Sequence, residues 1–597
     1  MKFKLRPKVN GLAFNNLDRL LLNRGIKDIE LYKNPQFKIP NFENIVNFNE
    51  GINLFLKNVK SKTLIVVDSD TDGYTSSTIM WQTIKRFFPN MEIDFYVHPK
   101  KEHGITLGVK EKVLSEGFKF LIVPDAGTND LENSVILWEN GCQILIIDHH
   151  ELEVQNKFAT IINNMQDGTN KQYTGASMTF LFCWGLAEKI GKEPPIDLID
   201  LAAIGNVADS AILVSNEIRS LCLNGLNNIS NIFIKKLMIH KNITNNFLTM
   251  VDVGWKIAPF INSVCRSGSK EEKELLFKAL NNIHNNETYV VEKRKLNKET
   301  RKYEKIPFVL DFYENAIEIL DKCKKNQDDV LAPIVKKQLT KVNPDRNIQV
   351  FILDKNDDAK SSTGLIANKL QSEIKQPVIV LWEKENTFTG SARGNTNVIK
   401  NFKDFCSKTE MFKLTQGHDN AFGVIIEKEN LLNFIDYISK IELTMNEEAN
   451  EHIVDEIFEN GFVDRKLIEE VANCDKTLWC NGCPEPTFGI TKLIVKKEEV
   501  KFYRGGVMRL YANGMTYIKY FAKSIEKENF EVGFGDKIEI NILCKFENNE
   551  YNGRVTQQGI IIDYEVKEHN DFKIEEPKIN NTNVDVSILN EAMSIFG

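Results

Sequence analysis

The sequence lacks the features that would place a protein in a membrane or outside the cell. No stretch approaches the roughly 20 consecutive apolar residues that a transmembrane helix needs. The first residues, MKFKLRPKVN, show no apolar core of a secretory signal. Only 10 cysteines are scattered over 597 residues, which is typical of reduced thiols rather than of a disulfide framework. We therefore expect a cytoplasmic protein with no membrane contact.

A large excess of one charge is also missing. The chain has 76 basic and 83 acidic side chains and a net charge of −7 at pH 7, which excludes a uniformly basic coat for nucleic acid. Local basic grooves remain compatible with nucleic-acid binding, because the acids can concentrate at a metal site elsewhere. At 597 residues the chain exceeds the size of a single hydrophobic core, so we expect several domains.

The most informative stretch is an apolar run that ends in acids. Leu64–Val67 is typical of a buried strand, and three carboxylates follow it at alternate positions, Asp68, Asp70 and Asp72. In extended backbone these side chains would point to one side. Clustered carboxylates repel one another unless cations neutralise them, and Mg²⁺ or Mn²⁺ prefers such oxygen ligands. Taken alone, the stretch is equally compatible with an acidic turn after a strand.

The pattern recurs along the chain. Further apolar runs end in PDAG, in DHH and, for the segment LAAIGNVAD, in an aspartate. The carboxyl ends of neighbouring parallel strands meet at one edge of a sheet, where ligands bind. Four such strand ends favour a two-metal centre over four unrelated turns. The residues predicted to converge there are Asp70, Asp72, Asp125, His149 and Asp209, with Asp68 and His150 beside them.

At these residues a family resemblance appears. DSDTDG, PDAG, DHH and NVAD, in this order, resemble the four motifs of the DHH phosphoesterase superfamily. The chain is most similar to the RecJ branch of single-strand-specific exonucleases. KEHGITLG and APFINSVCRSG resemble further segments of that branch, and GSARG and QGHDNAFG resemble its second domain, DHHA1. The resemblance spans about residues 15 to 565.

Resemblance and apolar patterning together predict the fold class. We expect α/β architecture, with two α/β domains (DHH and DHHA1) joined by a helical segment and followed by an OB-like β-barrel. The predicted parts are an N-terminal lead-in that packs on the catalytic domain (1–60), the DHH catalytic domain (61–215), a helical connecting segment (216–330), a DHHA1-like substrate-binding domain (331–445), an OB-like nucleic-acid-binding domain (446–565) and a tail (566–597).

The resemblance implies two Mn²⁺ or Mg²⁺ ions and a role for each acid. Asp125 would bridge the two ions, and Asp70 would complete one of their sites. The other site would be held by Asp72, His149 and Asp209.

The remaining motif residues would support the metals or hold the substrate. Asp68 is either a metal ligand or an outer acid, and Asp148 would orient a histidine. His150 would contact the phosphate or support its neighbour. In GSARG, backbone N–H groups and one guanidinium suit a phosphate, although a turn with a surface arginine is the commoner meaning of such a motif. The residues predicted to bind substrate are His103, Arg266, Ser391, Arg393 and His418.

Aromatic and basic residues interleave in the predicted barrel. Bases stack on aromatic side chains and phosphates pair with cations, so this composition suits single-stranded nucleic acid. Alternation along strands would instead place roughly half of these aromatics in the barrel core. The residues assigned to nucleic-acid binding are Tyr503, Arg504, Arg509, Tyr517 and Lys519.

These expectations combine into one predicted function and two alternatives. We predict a metal-dependent, monomeric exonuclease that hydrolyses single-stranded DNA, 5′→3′ by resemblance, in DNA repair, recombination or replication. Its partners would be single-stranded DNA and a single-strand-binding, replication or recombination protein. One alternative is a phosphodiesterase for short oligonucleotides or cyclic dinucleotides. The other is a non-catalytic replication scaffold with the DHH fold, although such a scaffold would lose metal-binding acids that are all present here.

Overall fold

The structure is a computed structural model. It describes residues 1–9, 15–39, 42, 44–166, 172–284, 287–296, 303–354, 359–396, 398–441, 451–504, 506–522, 524–531, 536–551 and 553–567. Apart from its first two residues, the predicted tail 566–597 lies outside the described residues. Within the described ranges, no helix has both the length and the apolar character needed to cross a membrane.

The chain divides into two compact units that do not follow chain order. The larger unit comprises Pro7–Glu451 and Cys474–Glu485. The smaller unit comprises Met1–Arg6, His452–Asn473 and the chain from Pro486 onward. The first six residues, which we expected to pack on the catalytic domain, therefore belong to the smaller unit, where Lys2–Leu5 pairs with a strand that begins at Glu451.

The strands are distributed over both units. They are β1 (Lys2–Leu5), β2 (Thr63–Val67), β3 (Ile93–Val97), β4 (Phe120–Pro124), β5 (Gln143–Asp148), β6 (Thr160–Asn163), β7 (Tyr289–Leu296), β8 (Tyr303–Leu310), β9 (Gln349–Ile352), β10 (Val378–Lys384), β11 (Thr387–Arg393), β12 (Phe412–His418), β13 (Ala421–Glu427), β14 (Glu451–Val454), β15 (Glu456–Phe458), β16 (Phe488–Lys496), β17 (Val500–Tyr503), β18 (Val507–Ala512), β19 (Met515–Tyr520), β20 (Lys537–Tyr551) and β21 (Arg554–Lys567).

Of the α-helices named here, the last belongs to the smaller unit and the others belong to the larger one. They are α1 (Asn16–Asn23), α2 (Ile29–Lys33), α3 (Phe48–Lys57), α4 (Thr71–Phe87), α5 (Leu107–Glu116), α6 (Leu131–Glu139), α7 (Gly175–Lys189), α8 (Ile199–Ala208), α9 (Asn216–Asn227), α10 (Ile232–His240), α11 (Met250–Asp252), α12 (Ala258–Ser267), α13 (Lys270–Leu280), α14 (Phe312–Leu339), α15 (Thr363–Ile374), α16 (Phe402–Lys408), α17 (Lys428–Lys440) and α18 (Arg465–Asn473).

The first sheet of the larger unit has five parallel strands in the order β3-β2-β4-β5-β6. Its central strands are buried on both faces, which explains their continuous apolar runs. In β2, Ile65 and Val67 enter one apolar cluster while Leu64 and Val66 enter another. Because all five strands are parallel, their carboxyl ends lie at one edge.

The fourth predicted strand is wrong, because LAAIGNVAD lies in helix α8 and at its C-terminus. Every residue from Ile199 to Asn206 is buried. A short run that is apolar on all sides fits a buried strand and a buried helix equally well, so periodicity did not separate them. Asp209 therefore follows a helix rather than a strand.

The predicted connecting segment leads into a long helix and also contains a hairpin that we did not expect. Helix α14 runs for 28 residues from a capping box formed by Asp311 and Glu314, and it packs against α12 and α15. Strands β7 and β8 pair as an antiparallel hairpin, so the segment is helical only in part.

A second, mixed sheet follows in the order β12-β13-β11-β10-β9. Its helix α15 has the predicted bounds, Thr363–Ile374. The predicted Gly-rich turn at Gly390–Gly394 is wrong, since most of it lies in strand β11. A Cβ on Gly390 would lie 1.9 Å from the carbonyl oxygen of Val380, so the glycine permits close strand packing rather than a turn.

The smaller unit contains a seven-stranded mixed sheet in the order β15-β16-β20-β21-β19-β18-β17. Tyr517 is fully buried and stands opposite Leu510, so its assignment to nucleic-acid binding was wrong. Lys519 points to the same side as Tyr517 and pairs with Glu526 at 2.6 Å, so its ammonium group is already neutralised. Together with the two α/β sheets, this sheet confirms the predicted fold class.

We expect Tyr517 to act only through packing. Its hydroxyl finds no hydrogen-bond partner among the described residues, and a buried, unsatisfied polar group costs about 1–3 kcal/mol. Tyr517→Phe should therefore leave the free energy of unfolding unchanged or raise it, whereas Tyr517→Ala should lower it by about 3–5 kcal/mol. Urea titrations of the full chain, with the exposed Tyr520→Ala as control, test this. Equal losses for Phe and Ala at position 517 would contradict it.

Candidate metal centre

The link between β2 and α4 carries two of the predicted acids. Asp70 caps α4, accepting a hydrogen bond from the Gly73 N–H at 3.0 Å. Asp68 is 1% exposed, accepts from the Gly104 N–H at 3.1 Å, and lies 2.6 Å from His103 Nδ1. A Cβ on Gly73 would lie 2.5 Å from the Cβ of Asp68, so this tight link requires glycine.

Asp72 lies in the first turn of α4 and faces the N-terminus of α7. Its oxygens accept hydrogen bonds from the Gly175 N–H at 2.8 Å, the Ala176 N–H at 3.0 Å and the Thr174 hydroxyl at 3.0 Å. The N-terminus of a helix stabilises a negative charge. The position of Asp72 is therefore fixed by the protein alone.

Asp125 follows β4 in the left-handed region, with φ of 67°. Its side chain is almost fully buried, and Oδ1 makes no hydrogen bond with the described residues, although His149 Nε2 lies 3.2 Å away. A Cβ on Gly175 would lie 2.2 Å from this oxygen, so glycine makes room for it. A buried carboxylate oxygen without a donor is costly unless a cation takes that place. The residues present therefore fit a metal ion.

His149 connects Asp125 with the remaining acids. Its Nε2 lies 3.2 Å from Asp125 Oδ1, 3.8 Å from Asp72 Oδ2 and 3.7 Å from Asp209 Oδ2. The structure thus brings the six predicted metal ligands together in two sets: Asp72, His149 and Asp209, and Asp68, Asp70 and Asp125. Within each set, the potential ligand atoms lie within 4.8 Å of one another.

Asp148 is occupied by its own neighbours. Oδ2 accepts from the N–H and the hydroxyl of Thr128, and Oδ1 lies 2.7 Å from His150 Nδ1. Burial alone would raise the pKa of Asp148 and lower that of His150, but their mutual attraction dominates. The pKa of Asp148 falls well below its usual range and the pKa of His150 rises to about 10, so His150 is a cation at neutral pH.

Asp72, Asp125 and Asp209 are hard to ionise without a cation. Burial, together with the charge of Asp70, raises the pKa of Asp72 to about 6. Burial and the charges of neighbouring carboxylates raise the pKa of Asp125 and of Asp209 well above the usual range. A divalent ion reverses this effect because it favours the charged form of every carboxylate around it.

Three cations lie at the rim of the acid cluster, and the sequence predicted two of them. Arg266 comes from α12 and Arg393 from β11; for both, desolvation lowers the pKa, and for Arg393 the charge of Arg266 adds to this. Lys101 was missed. It keeps solvent contact, yet the surrounding protein and the charge of Arg266 lower its pKa. Its signal was available, since Lys101 is the first residue of KEHGITLG, two positions before His103.

Asn262 was also missed, although it belongs to APFINSVCRSG. Its Oδ1 accepts hydrogen bonds from the Thr71 N–H at 2.9 Å and the Thr71 hydroxyl at 3.0 Å. Thr71 is the first residue of α4, between Asp70 and Asp72. Asn262 therefore fixes α12 against the start of the helix that carries the acids.

Ser391 and Arg393 meet the N-terminus of α15. The Ser391 hydroxyl lies 2.9 Å from the Thr363 hydroxyl, and Arg393 Nε donates to Asn368 at 3.1 Å. A Cβ on Gly364 would lie 3.0 Å from Arg393 Nη2, so the guanidinium covers the first turn of the helix. This helix start, which no side chain caps, replaces the predicted Gly-rich turn as the place where an anion fits. His418 ends β12, and its side chain lies outside the described residues.

The sheet and its edge of acids define a class of protein. Residues 62–206 match the model of the DHH family, N-terminal domain. The chain therefore contains a DHH-family domain, which confirms the resemblance found in its motifs.

Several proteins that the chain resembles are named as single-strand-specific exonucleases. It is 29% identical over 586 residues to YorK of Bacillus subtilis, named as an SPbeta prophage-derived single-strand DNA-specific exonuclease, with 93% of this chain and 97% of that protein aligned. It is 25% identical over 401 residues to the single-stranded-DNA-specific exonuclease RecJ of the same organism, covering 65% of this chain and 47% of RecJ. The crystal structure of RecJ from Thermus thermophilus with Mn²⁺ superposes with a TM-score of 0.70 at 17% identity, covering 93% of this chain and 76% of that one, which shows the fold.

Metal binding should compete with protons. Because burial and repulsion raise the pKa of Asp72 to about 6 and those of Asp125 and Asp209 further, a divalent ion must displace protons as it binds. We expect the Mn²⁺ affinity of the substrate-free protein to fall steadily as the pH drops from about 8 to about 6. Calorimetry in two buffers of different ionisation enthalpy should report the released protons. Affinity that is constant over this range would contradict the assignment.

Proposed function

We propose that this protein is a metal-dependent exonuclease that degrades single-stranded DNA, in the 5′→3′ direction, by hydrolysing phosphodiester bonds. The observation that carries the proposal is the buried Asp125 Oδ1, which makes no hydrogen bond with the described residues, lies 3.2 Å from His149 Nε2, and stands where two sets of potential metal ligands meet. The relatives named as single-strand DNA-specific exonucleases support the choice of substrate.

Two divalent ions, Mn²⁺ or Mg²⁺, would lower the pKa of an attacking water and neutralise charge on the reacting phosphate. Asp125 suits the shared position, because it belongs to one ligand set and its Oδ1 lies 3.2 Å from His149 of the other. Asp72 is held by the start of α7, so it needs no rearrangement to accept an ion. The His150 cation, fixed by Asp148, is placed to donate a hydrogen bond to a phosphate oxygen.

The rim cations would hold the strand. Lys101 and Arg266 suit the phosphate at the acid cluster. Desolvation lowers the pKa of both side chains, and an anion bound beside them would favour their charged forms. Arg393 and Ser391, with the start of α15, suit a second phosphate of the same strand. His103 Nδ1 lies 2.6 Å from Asp68, so His103 belongs to the acid cluster rather than to the rim cations.

The smaller unit offers a face for bases. Strand pairing places Lys501 opposite Arg509 and Tyr503 opposite Val507, and Val507 in turn stands opposite Tyr520. The solvent-exposed residues of this face, here called the aromatic face, are Lys501, Tyr503, Arg509, Tyr511 and Tyr520. We propose that bases stack on its tyrosines in the manner of an OB-like domain, with the exposed Arg504 beside it.

The same proposal extends to the cellular role. A processive single-strand exonuclease serves DNA repair, recombination or replication, working with a single-strand-binding or replication protein. We propose a monomer in the cytoplasm for this protein.

Asp125→Asn tests the metal centre. The substitution keeps the shape but removes one of several repelling carboxylates, so the metal-free protein should melt at a higher temperature than the wild type. Turnover of single-stranded DNA in Mn²⁺ should fall by at least about 100-fold. Removing a residue that only supports a metal ligand typically costs about 10- to 100-fold, so a larger loss indicates a ligand. Thermal melts with and without Mn²⁺ should show that the ion no longer stabilises the variant. Wild-type turnover in the variant would contradict the site.

The substrate class is tested on the wild type with end-labelled strands. We expect Mn²⁺-dependent release of mononucleotides from 5′ ends of long single strands and little attack on duplex. Preferential cleavage of dinucleotides would favour the phosphodiesterase alternative, and the absence of cleavage of any substrate would favour the scaffold.

The aromatic face should matter only for long strands. Tyr503→Ala combined with Tyr511→Ala should weaken binding of long single strands, because stacking contributes about 1–3 kcal/mol per base. Hydrolysis of a dinucleotide should be unchanged. Tyr437→Ala is a matched control, since Tyr437 is 41% exposed and Tyr511 44%. Filter-binding and rate measurements at several salt concentrations check this, and equal losses on both substrates would contradict it.

A further inference from the structure

A tight turn at Cys480–Cys483 belongs to the larger unit although it comes late in the chain. Cys480 and Cys483 form an isolated antiparallel bridge, with N–H to carbonyl hydrogen bonds of 2.9 Å and 3.0 Å in the two directions. Both cysteines are buried, whereas Asn481 and Gly482 at the tip are exposed. No cysteine occurs in the clusters of three or more potential metal ligands found among the described residues.

The tip of this turn holds the segment that follows Asp209. The Asn481 side-chain amide donates a hydrogen bond to the backbone carbonyl of Ser210. The backbone carbonyl of Asn481 accepts a hydrogen bond from the Leu213 N–H at 3.0 Å. One residue thus fixes both ends of the segment Ser210–Leu213. Cys480 adds a contact at 3.4 Å from its sulfur to the Leu213 carbonyl.

Gly482 closes the contact by packing. A Cβ at this position would lie 2.8 Å from Ile212 Cγ2 and 2.9 Å from Val214 Cγ1, and the backbone φ is 92°. Any other residue would therefore push the segment away while straining the turn.

Asp209 needs this support more than Asp68, Asp70 and Asp72 do. Those three acids accept hydrogen bonds that fix their carboxylates, whereas the Asp209 carboxylate has His149 Nε2 at 3.7 Å from Oδ2. Asp209 directly follows the last residue of α8, and the next residue, Ser210, turns the chain with φ of 61°. A non-glycine residue in that conformation persists only where its surroundings hold it.

We propose that Asn481 is a positioning residue that holds Asp209 at the metal centre by fixing the carbonyl of Ser210. The proposal rests on the proposed function, since it gives Asp209 a metal to hold. Without the Asn481 amide, the backbone of Ser210 would no longer be held in its conformation. Asp72, His149 and Asp209 would all remain, but the carboxylate of Asp209 would no longer be held in position relative to the other two.

The experiment compares Asn481→Ala, Asn481→Asp and the matched control Gln82→Ala in the full chain. Gln82 also donates a long-range hydrogen bond from a side-chain amide to a backbone carbonyl, that of Leu280, at 3.0 Å. Asp at position 481 keeps the size of Asn but has no N–H to donate. Calorimetric Mn²⁺ titration of the substrate-free protein measures the geometry of the site without relying on turnover.

We expect both Asn481 variants to weaken one Mn²⁺ site by about 10-fold, and the control to leave it unchanged. On single-stranded DNA, kcat should fall while KM stays near the wild-type value. Wild-type Mn²⁺ affinity in either Asn481 variant overturns the proposal, whatever the melting temperature of that variant. Wild-type affinity in Asn481→Asp alone would show that packing, rather than the hydrogen bond donated by the Asn481 amide, is responsible. If the wild type binds Mn²⁺ but leaves single strands intact, the proposed function fails, and the comparison of Mn²⁺ affinities still decides the role of Asn481.

Discussion

Repulsion among buried carboxylates is the constraint around which the larger unit is built. Asp72 and Asp125 are both almost fully buried, and burial raises the pKa of both; the charge of Asp70 raises the pKa of Asp72 further, and the charge of Asp72 raises that of Asp125. The fold accepts this cost at the edge of a parallel sheet, where the start of α7 supplies two N–H groups to Asp72. Glycines at positions 73 and 175 allow approaches that a Cβ would block. Because ions that bind the folded protein stabilise it, the free energy of unfolding depends on the metal.

The ends of the apolar strands made part of this site predictable from the sequence. The positions of its other residues depend on tertiary packing. An apolar run followed at once by an acid placed Asp68 and Asp125 correctly at the carboxyl ends of β2 and β4. Asp209 was expected at the same edge for the wrong reason, since a buried helix and a buried strand share one apolar pattern. Lys101 and Asn262 gain their significance only from groups distant in sequence, Arg266 and Thr71, which no local pattern reveals.

The aromatic face shows a second limit of sequence patterns. In β19 both faces carry an aromatic residue, because Tyr517 and Tyr520 have opposite parity along the strand. Alternation therefore separates the two sides but does not tell which one is buried. Pairing with β18 resolves the choice, since Tyr517 stands opposite Leu510 and Tyr520 opposite Val507. Lys519 shares the parity of Tyr517, which explains why it meets Glu526 rather than the aromatic face.

Helix α12 ties the acid cluster to the rim cations. Through Asn262 it holds the first residue of α4, and near its end it carries Arg266, whose charge reaches both Lys101 and Arg393. Helix α14 packs against α12 and against α15, whose start lies under Arg393. The acids and the rim cations are therefore positioned by the same packed helices. A change in the packing of α12 on α14 would shift the acids relative to the cations, whereas a change in Arg393 alone would leave the acids in place.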